Sequence, residues 1–578
     1  MITTVRATAA IRCTAFCTTL GLAASGGAQN GAQNGAQDVM RHVTRDSVAR
    51  DSVTRSCDTT ITRTTAGNLS GARIRSLDIQ TNGPKALPGV GRFASHLHAV
   101  THSGTVRRDL QFAVHDTVDT TAVGESMRRL RHRSYLRDVV LRGVRCGTDS
   151  VDLQVTTYDR WSLSASVGVQ SNASYGGLDE RNLLGTGREG SVSIASRQGK
   201  IGGAVGYTDP FLLNLPVYLK MRAARFVDGS DIRGRVRNAD QSVTDRWRSQ
   251  LVFARYRQDS RKIEQFGGDP VLVEQAFKRD AAFLLFGRRI GEATNTATSI
   301  LFGADFERAS LNAPDNALVV GPRLVERRYH GPTVGLARQA VAFDTVGWLA
   351  ERQLLVDIPL GLEMEGLIGA GREDVSRRGA AFGSAWLGKM WIPSRERLVS
   401  IDLWTSGYLI GSHHNFDAAS SRGLFSYYAR RGNTLYSLHG AAEKLVNPDP
   451  DVRALETFDP TISLIPTPYR LSENAFAVQL EQARHLRSVI RSIGLDGAVF
   501  VATSIRTASA LSQHDHFGVT ALGAGLRVVL GGAGSGSLRL DILYPVLESP
   551  GTRKGPVLAV SVTPWLQSNR QREDPRLR

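Results

Sequence analysis

Apolar and polar residues alternate one by one in short stretches from Trp161 to Trp565, about 405 of the 578 residues. Successive side chains of a β-strand point to opposite faces, so this alternation predicts strands with one apolar and one polar face. The clearest examples of apolar positions are Val192 and Ile194, Val399, Ile401 and Leu403, Leu538, Leu540 and Ile542, and Val560 and Val562. Repeated over such a length, the pattern predicts a large antiparallel sheet of consecutive hairpins.

A soluble β-sandwich would show the same alternation, so the length of the pattern has to distinguish the two folds. About 405 residues of hairpins would be an unusually large soluble sheet, whereas about sixteen strands of roughly 25 residues each, loops included, suit a membrane barrel. We therefore predict a transmembrane antiparallel β-barrel of about sixteen strands over 160–566. Aromatic residues near many strand ends fit interfacial girdles, or simply the general preference of strands for aromatics.

The longer polar insertions between predicted strands are expected to form extracellular loops, and short turns such as Pro393-Ser394 to face the periplasm. These insertions are Gly229 to Arg246, Arg308 to Arg328, His413 to Arg422 and Asn447 to Asn474.

The segment before the barrel has a different pattern and predicts a small α+β domain over 71–159. Ile74, Leu77 and Ile79 indicate a first strand that ends at an Asn-Gly-Pro turn. A helix is expected around 105–110, and a second helix places Val123, Met127 and Leu130 on one face at spacings of four and three. Two alternating stretches follow, which gives the order β-α-α-β-β.

The chain termini are expected to lie outside both folded parts. Residues 1–28 combine two arginines, a short apolar stretch and small residues, which predicts a secretory signal peptide; the alternative is a disordered cytosolic leader. Residues 29–70 predict a flexible polar linker, and 567–578 a polar C-terminal tail. Removal of the leader would leave Cys57 and Cys146, which could form a disulfide in an oxidising periplasm or remain free thiols.

The net charge of +17 does not indicate a nucleic-acid partner, because the arginines are scattered along the chain instead of concentrated in one segment. Attraction to anionic lipid head groups is the more natural use of this surplus.

Residues 383–390 meet the Gly-x4-Gly-Lys part of a phosphate-binding loop but lack the final Ser or Thr. His96, His98 and His102 could ligate a metal, or simply lie in a polar segment. We therefore expect no enzyme activity, cofactor or metal site.

Three short signals lie in order where one predicted strand leads to the next. They are Arg160-Trp161-Ser162-Leu163, the stretch Glu180-Arg181-Asn182-Leu183-Leu184-Gly185-Thr186-Gly187, and Tyr207-Thr208-Asp209-Pro210. The set resembles the junction of the BamA/TamA-type outer-membrane assembly factors, in which a periplasmic POTRA domain leads into a surface-antigen barrel. The resemblance covers roughly Ile74 to Trp565, and it implies that the small domain is a POTRA domain. Family members usually end at the terminal aromatic, whereas this chain continues beyond Trp565.

A fourth signal of the family is altered here. The family pairs an Arg from an inserted loop, in Val-Arg-Gly-aromatic, with an Asp in the strand motif Phe-x-Asp-x-Gly. Phe500 is kept in the matching strand, but Ala502 and Ser504 replace the Asp and the Gly. The nearest loop candidate is Arg453, whereas a competing alignment places the loop motif at Leu464 to Pro468, which contains no Arg. Asp541 is the possible partner of Arg453 or an ordinary lumen carboxylate. Loss of both members of a shielded ion pair can be nearly neutral, whereas loss of one is costly.

The resemblance implies an outer-membrane protein with its small domain in the periplasm that assists insertion or translocation of other proteins. Its partners would be unfolded outer-membrane or secreted proteins, the lipid bilayer, and periplasmic chaperones or accessory lipoproteins. A substrate strand would add to the POTRA sheet, and weak pairing between the strands near Trp161 and Val560 would form a lateral gate. The alternatives are a passive pore or structural barrel without insertase activity, which the altered motif favours, and a soluble periplasmic β-rich binding protein.

Overall fold

The fold is described from a computed structural model. The described residues are 69–84, 98–147, 149–170, 173–197, 200–226, 229–238, 245–258, 261–262, 272–273, 276–293, 296–312, 326–346, 356–374, 378–410, 416–446, 474–490, 493–510, 513–530, 537–548 and 555–563. The predicted signal peptide, the C-terminal tail, nearly all of the linker, and Cys57 and Arg453 lie outside them.

The described residues before the barrel follow the order β-α-α-β-β. The elements are β1 (Arg73–Asn82), α1 (Ser103–Asp109), α2 (Thr120–Arg131), β2 (Leu136–Cys146) and β3 (Ser150–Asp159). The three strands form one sheet in the order β1-β3-β2. On α2 the predicted apolar positions Val123, Met127 and Leu130 are all buried. Neither of these two helices is long and apolar enough to cross a membrane.

The chain forms two compact units. One comprises Met1–Asp78, Phe112–Thr120 and Arg142–Gln154, and the other Ile79–Gln111, Thr121–Leu141 and Val155–Arg578. The second unit therefore holds α1, nearly all of α2 and the barrel. All contacts described below lie within this second unit.

The rest of the described chain is almost entirely strand. In chain order the strands are β4 (Leu163–Gln170), β5 (Ala173–Leu183), β6 (Arg188–Arg197), β7 (Lys200–Asp209), β8 (Val217–Phe226), β9 (Gly229–Asn238), β10 (Trp247–Gln258), β11 (Arg261–Lys262), β12 (Leu272–Val273), β13 (Ala276–Ala293), β14 (Thr296–Asn312), β15 (Glu326–Ala340), β16 (Phe343–Val346), β17 (Val356–Pro359), β18 (Glu363–Glu373), β19 (Gly379–Ser394), β20 (Arg397–Ile410), β21 (Phe416–Arg431), β22 (Thr434–Val446), β23 (Asn474–Ile490), β24 (Ile493–Ala510), β25 (Gln513–Leu530), β26 (Ser537–Glu548) and β27 (Val557–Thr563). A short 3₁₀ helix, Leu212–Asn214, lies between β7 and β8.

Twenty of these strands form one antiparallel barrel sheet, whereas β11–β12 and β16–β17 form separate two-stranded hairpins. Antiparallel ladders join each barrel strand to the next one along the chain, from β4 to β27. The order closes where β27 lies beside β4. The predicted barrel class is confirmed.

Two finer expectations were wrong. The described residues form twenty barrel strands instead of about sixteen, because many connections are shorter than the assumed 25-residue repeat allows. The insertion from Gly229 to Arg246, predicted as an extracellular loop, contains strand β9, which ends at the end of the barrel where β4 begins. We call that end the mouth, and the opposite end the far end. Pro393 and Ser394 end strand β19 at the mouth, directly before the turn at 395–396.

The barrel wall places apolar side chains outside, whereas its inner face holds charged side chains together with buried apolar clusters. Val192 and Ile194 are 55% and 58% exposed. Asp402 and Asp541 are buried, although they alternate with exposed neighbours such as Leu403 and Ile542. This arrangement reverses the one expected for a water-soluble sheet and is typical of a barrel surrounded by lipid.

The outer apolar band can be followed between charged borders on β13. The outward-facing positions between Arg288 and Asp280 are Ala282, Leu284 and Phe286. Eight residue steps at about 3.3 Å each span roughly 26 Å along the strand. At the usual strand tilt of about 40° this is a height of roughly 20 Å, most of the apolar band of about 25 Å in transmembrane barrels. At the lower border, the Arg288 guanidinium lies 5.3 Å from the ring of Trp247, which is also exposed.

Ile368 tests the lipid-facing assignment, because its side chain is 67% exposed on β18 within the apolar band. We expect Ile368→Arg to destabilise the barrel in a bilayer by about 2–4 kcal/mol, the cost of an arginine near the midplane. The measurement is urea unfolding in lipid vesicles followed by electrophoretic mobility without boiling. Leu360→Arg is the control, since Leu360 is exposed before β18 begins. Equal stability of the two variants would contradict the assignment.

Candidate functional site

The mouth of the barrel is joined to the segment before α1 by a buried carboxylate, Asp159. Its Oδ2 accepts a hydrogen bond from the backbone N–H of Thr101 at 2.7 Å, and its Oδ1 accepts one from the Thr101 hydroxyl at 2.7 Å. His98 Nε2 lies 3.1 Å from Oδ2, and His98 Nδ1 lies 3.2 Å from the Ser162 hydroxyl. The imidazole also meets the Trp161 ring edge to face, with centroids 5.9 Å apart. His98 therefore has a structural explanation, and the described residues contain no cluster able to hold a metal ion.

The predicted junction motif between β5 and β6 forms a turn that contacts the same segment. Asn182 is buried, donates from Nδ2 to the Thr101 hydroxyl at 2.9 Å, and accepts from the Gly187 N–H at 2.8 Å. The Gly185 carbonyl accepts from the His102 N–H at 2.9 Å. Glu180 and Arg181 stabilise the turn locally: a Glu180 oxygen accepts from the Asn182 N–H, and the Arg181 N–H donates to the Ser162 carbonyl.

Two glycines of this turn are required by their backbone conformation. Gly185 and Gly187 have φ angles of +74° and +73°, a region that side chains with a Cβ disfavour. A Cβ on Gly187 would lie 2.7 Å from the Tyr135 hydroxyl, and a Cβ on Gly185 would collide with the Val100 carbonyl. Tyr135 is buried, and this burial raises the pKa of its phenol above the usual range.

The turn between β7 and β8 is organised by the buried Asp209. Its carboxylate accepts from the Phe211 N–H at 3.0 Å and from the Tyr207 hydroxyl at 3.3 Å, and it forms an ion pair with Arg188 at 3.0 Å. Pro210, which follows it, is also buried. These bonds fix the chain direction at the turn.

Arg108 of α1 joins the two turns. It donates to the Thr186 carbonyl at 3.1 Å and to the Asn214 side chain at 3.0 Å, and its guanidinium lies 5.2 Å from the Phe211 ring. Arg133 lies 5.5 Å from the same ring and is ion-paired with Asp109. The helix α1 is thus anchored directly on the rim of the barrel.

The hairpin β16–β17 enters the barrel mouth. It connects β15 to β18 at the mouth end, and its Val346 and Ile358 are buried against Leu398 of β20 and Tyr428 of β21. Leu398 and Tyr428 are register partners on the inner face of the wall. The hairpin therefore packs against the lumen wall at the mouth.

The same hairpin is bound by α2. Arg131 donates to both carboxylate oxygens of Asp357, at 3.0 and 3.2 Å, and the Thr345 hydroxyl donates to Asp357 at 3.2 Å. The Arg128 guanidinium lies 4.9 Å from the Phe343 ring. The Asp357 side chain is only 2% exposed, so this bidentate pair is shielded from solvent on the carboxylate side.

The inner wall of strands β23 to β26 contains a second ionic network, which includes the predicted lumen residue Asp541. Arg539 lies 3.3 Å from Asp541 and 2.9 Å from Glu481. Arg527 is ion-paired with Asp541 and lies 3.3 Å from Glu481. Two carboxylates and two guanidinium groups thus balance each other within the wall.

Phe500 lies beside this network, with its ring 5.8 Å from the Arg527 guanidinium and its face against Gly523. Ala502 and Ser504 are buried along the same strand. Asp541 already has two arginine partners, Arg527 of the neighbouring strand β25 and Arg539 of its own strand β26, and Arg453 lies outside the described residues. The pairing of Arg453 with Asp541 therefore stays a prediction.

A third network fills the lumen near the far end. Glu307 is bound by Arg279 at 3.2 Å, by Arg327, and by the Tyr408 hydroxyl at 2.7 Å. The Arg327 guanidinium lies 5.0 Å from the Tyr408 ring.

The sequence analysis did not identify Glu307, Glu481 and Asp357 as site residues, because no motif surrounds them. The available signal was a charged residue at an inward position of an alternating strand.

Cys146 forms a disulfide bond, and its partner lies outside the described residues. The pairing of Cys146 with Cys57 remains a prediction.

No family model and no curated protein matches this chain. Among solved structures, CdiB from Escherichia coli has a TM-score of 0.42 and 11% identity, covering 85% of this chain and 76% of that chain. CdiB from Acinetobacter baumannii has a TM-score of 0.34 and 12% identity, covering 85% and 73%. BamA from Haemophilus ducreyi lacking POTRA domains 1–3 has a TM-score of 0.29 and 10% identity, covering 85% and 84%.

Gly187→Ala tests whether the β5–β6 turn joins α1 to the mouth. We expect faster amide exchange of residues 98–110, by about tenfold or more, because a positive φ costs an alanine about 1–2 kcal/mol and the Cβ would also meet Tyr135. Hydrogen–deuterium exchange with mass spectrometry measures this. The control is Gly176→Ala on β5, where a Cβ meets nothing within 4 Å. Unchanged exchange in Gly187→Ala would show that the turn does not stabilise this segment.

Proposed function

We propose that this protein resides in the outer membrane of a Gram-negative-type cell and assists the insertion, assembly or translocation of other proteins there. The observation that carries this proposal is the double attachment of the helices at the mouth. Arg108 anchors α1 on the rim turns, and Arg131 of α2 binds the hairpin that packs in the mouth. Forces on the helical segment would thus act directly on the opening of the barrel.

The proposed mechanism is not enzymatic and uses no cofactor. In the sheet order β1-β3-β2 the outer strands β1 and β2 each pair with one other described strand, and residues 115–118 occupy the outer side of β1 only at its start. An extended substrate segment would add there as a further strand, gaining main-chain hydrogen bonds. The small domain would work as a periplasmic POTRA domain, with chaperones or accessory lipoproteins delivering substrates, and the seam between β27 and β4 would open sideways towards lipid.

A second candidate function is a passive pore or structural barrel. Ala502 and Ser504 support it, because the strand that should provide the inward Asp has a small, uncharged inner face at these positions. In this alternative the ionic network of Glu481, Arg527, Arg539 and Asp541 only stabilises the wall.

The deciding experiment offers a urea-unfolded outer-membrane barrel to liposomes containing this protein. We expect faster folding than in empty liposomes, and loss of the acceleration when the residues before Trp161 are removed. The folding of the truncated barrel itself is checked by electrophoretic mobility without boiling. Absence of acceleration by the intact protein would favour the passive barrel.

Arg131→Gln tests whether α2 holds the hairpin in the mouth. The change leaves the buried Asp357 without its bidentate partner, which costs about 1–3 kcal/mol and should raise the frequency of open-pore events roughly tenfold. Single-channel conductance in planar bilayers measures this frequency. Arg107→Gln provides the control, because Arg107 lies exposed in the last turn of α1. An unchanged opening frequency would argue against control of the mouth by this contact.

A further inference from the structure

Charged side chains form a continuous row on the outer wall at the far end of the barrel. Arg255, Asp280, Arg308 and Arg328 are consecutive register partners on β10, β13, β14 and β15. All four occupy outward positions, because their strand neighbours Tyr256, Arg279, Ala309 and Tyr329 face inwards. We call this row, together with its outward-facing neighbours, the outer belt. Its further members are Arg257, Lys278, Glu326, Arg372 and Asp374.

The belt has more positive than negative groups, six against three. Each of two carboxylates is shared between two arginines. Asp280 lies 2.9 Å from Arg255 and 2.9 Å from Arg257, while Glu326 lies 3.4 Å from Arg308 and 2.6 Å from Arg328.

The cations of the belt remain accessible. The side chains of Arg255, Arg308 and Arg328 are 62%, 51% and 42% exposed. Lys278 and Arg372 are exposed and form no ion pair with any described residue. Guanidinium groups that share one carboxylate keep N–H donors for a second anion.

The belt lies directly at the upper border of the apolar band. The next register row towards the mouth contains Phe253, Ala282 and Phe306, of which Phe306 is 46% exposed, and it continues through His330 to the belt member Arg372. Lipid acyl chains would cover the part of this row on β10, β13 and β14, so the belt there stands at the height of the lipid head groups. Arginine binds phosphate oxygens through two parallel hydrogen bonds, and basic residues at this height attract anionic lipids.

We propose that the outer belt binds phosphate-bearing lipid head groups of the leaflet at the far end of the barrel. The phosphate would accept hydrogen bonds from the surplus guanidinium groups, and the acyl chains would lie on the aromatic row below. This lipid site is separate from the mouth and does not depend on the proposed assembly function.

The experiment uses the full-length protein in mild detergent and counts bound lipids by native mass spectrometry. The probes are phosphatidic acid, which has a phosphomonoester head group, and phosphatidylcholine. We expect preferential retention of phosphatidic acid, reduced about tenfold or more in the double variant Arg308→Gln/Arg328→Gln and weakened by added salt. The matched control is Arg397→Gln/Arg484→Gln, which removes the same charge from exposed positions near the mouth.

Arg372→Gln serves as a second variant, because it removes a belt cation without releasing Glu326. A smaller loss of phosphatidic acid in this variant supports the belt. Equal binding by the belt and control double variants would overturn the proposal, as would no preference for phosphatidic acid. Displacement of the lipid by inorganic phosphate would overturn the lipid assignment and indicate a site for free anions.

Discussion

One requirement determines most of this structure: every backbone N–H and C=O in the wall must have a hydrogen-bond partner within the wall. In lipid no water is available for these groups, so a spanning sheet must close on itself. Twenty antiparallel strands meet this requirement. The pleat then sends every second side chain outwards to lipid and the others into the lumen, which explains how a chain with mean hydropathy −0.18 can span a membrane.

The polar lumen creates a second requirement, since charges removed from water must be neutralised by partners. In the described wall, residues of the barrel strands themselves neutralise these charges. Glu307 is neutralised by arginines of β13 and β15, and Glu481 and Asp541 by arginines of β25 and β26. These described carboxylates are therefore neutralised within the wall, which has the uncharged Ala502 where the resembled family has an inward Asp.

The sequence predicted the barrel class, the β-α-α-β-β order and the position of the junction motifs, because each depends on local alternation or on turn residues such as Gly187 and Pro210. It did not predict the twenty strands, because short connections carry little signal when strands run almost directly into one another. The sequence also did not predict the hairpin β16–β17 or its place in the mouth. Its binding depends on Arg131 and Asp357, which are more than two hundred positions apart, and on the inward direction of Leu398.

The junction residues have structural roles that clarify where movement can occur. Asp159 and Asn182 bind Thr101 just before α1, and Asp209 binds the Phe211 N–H within its own turn, so they fix the turns on which α1 is anchored. The hairpin contact is different, because side chains alone form it: Arg131 binds Asp357 through two hydrogen bonds, His132 lies 4.0 Å from the same carboxylate, and Arg128 lies over the Phe343 ring. A displacement transmitted through the helices would therefore act on these side-chain contacts. Within the proposed function, the hairpin is the part of the mouth best placed to move.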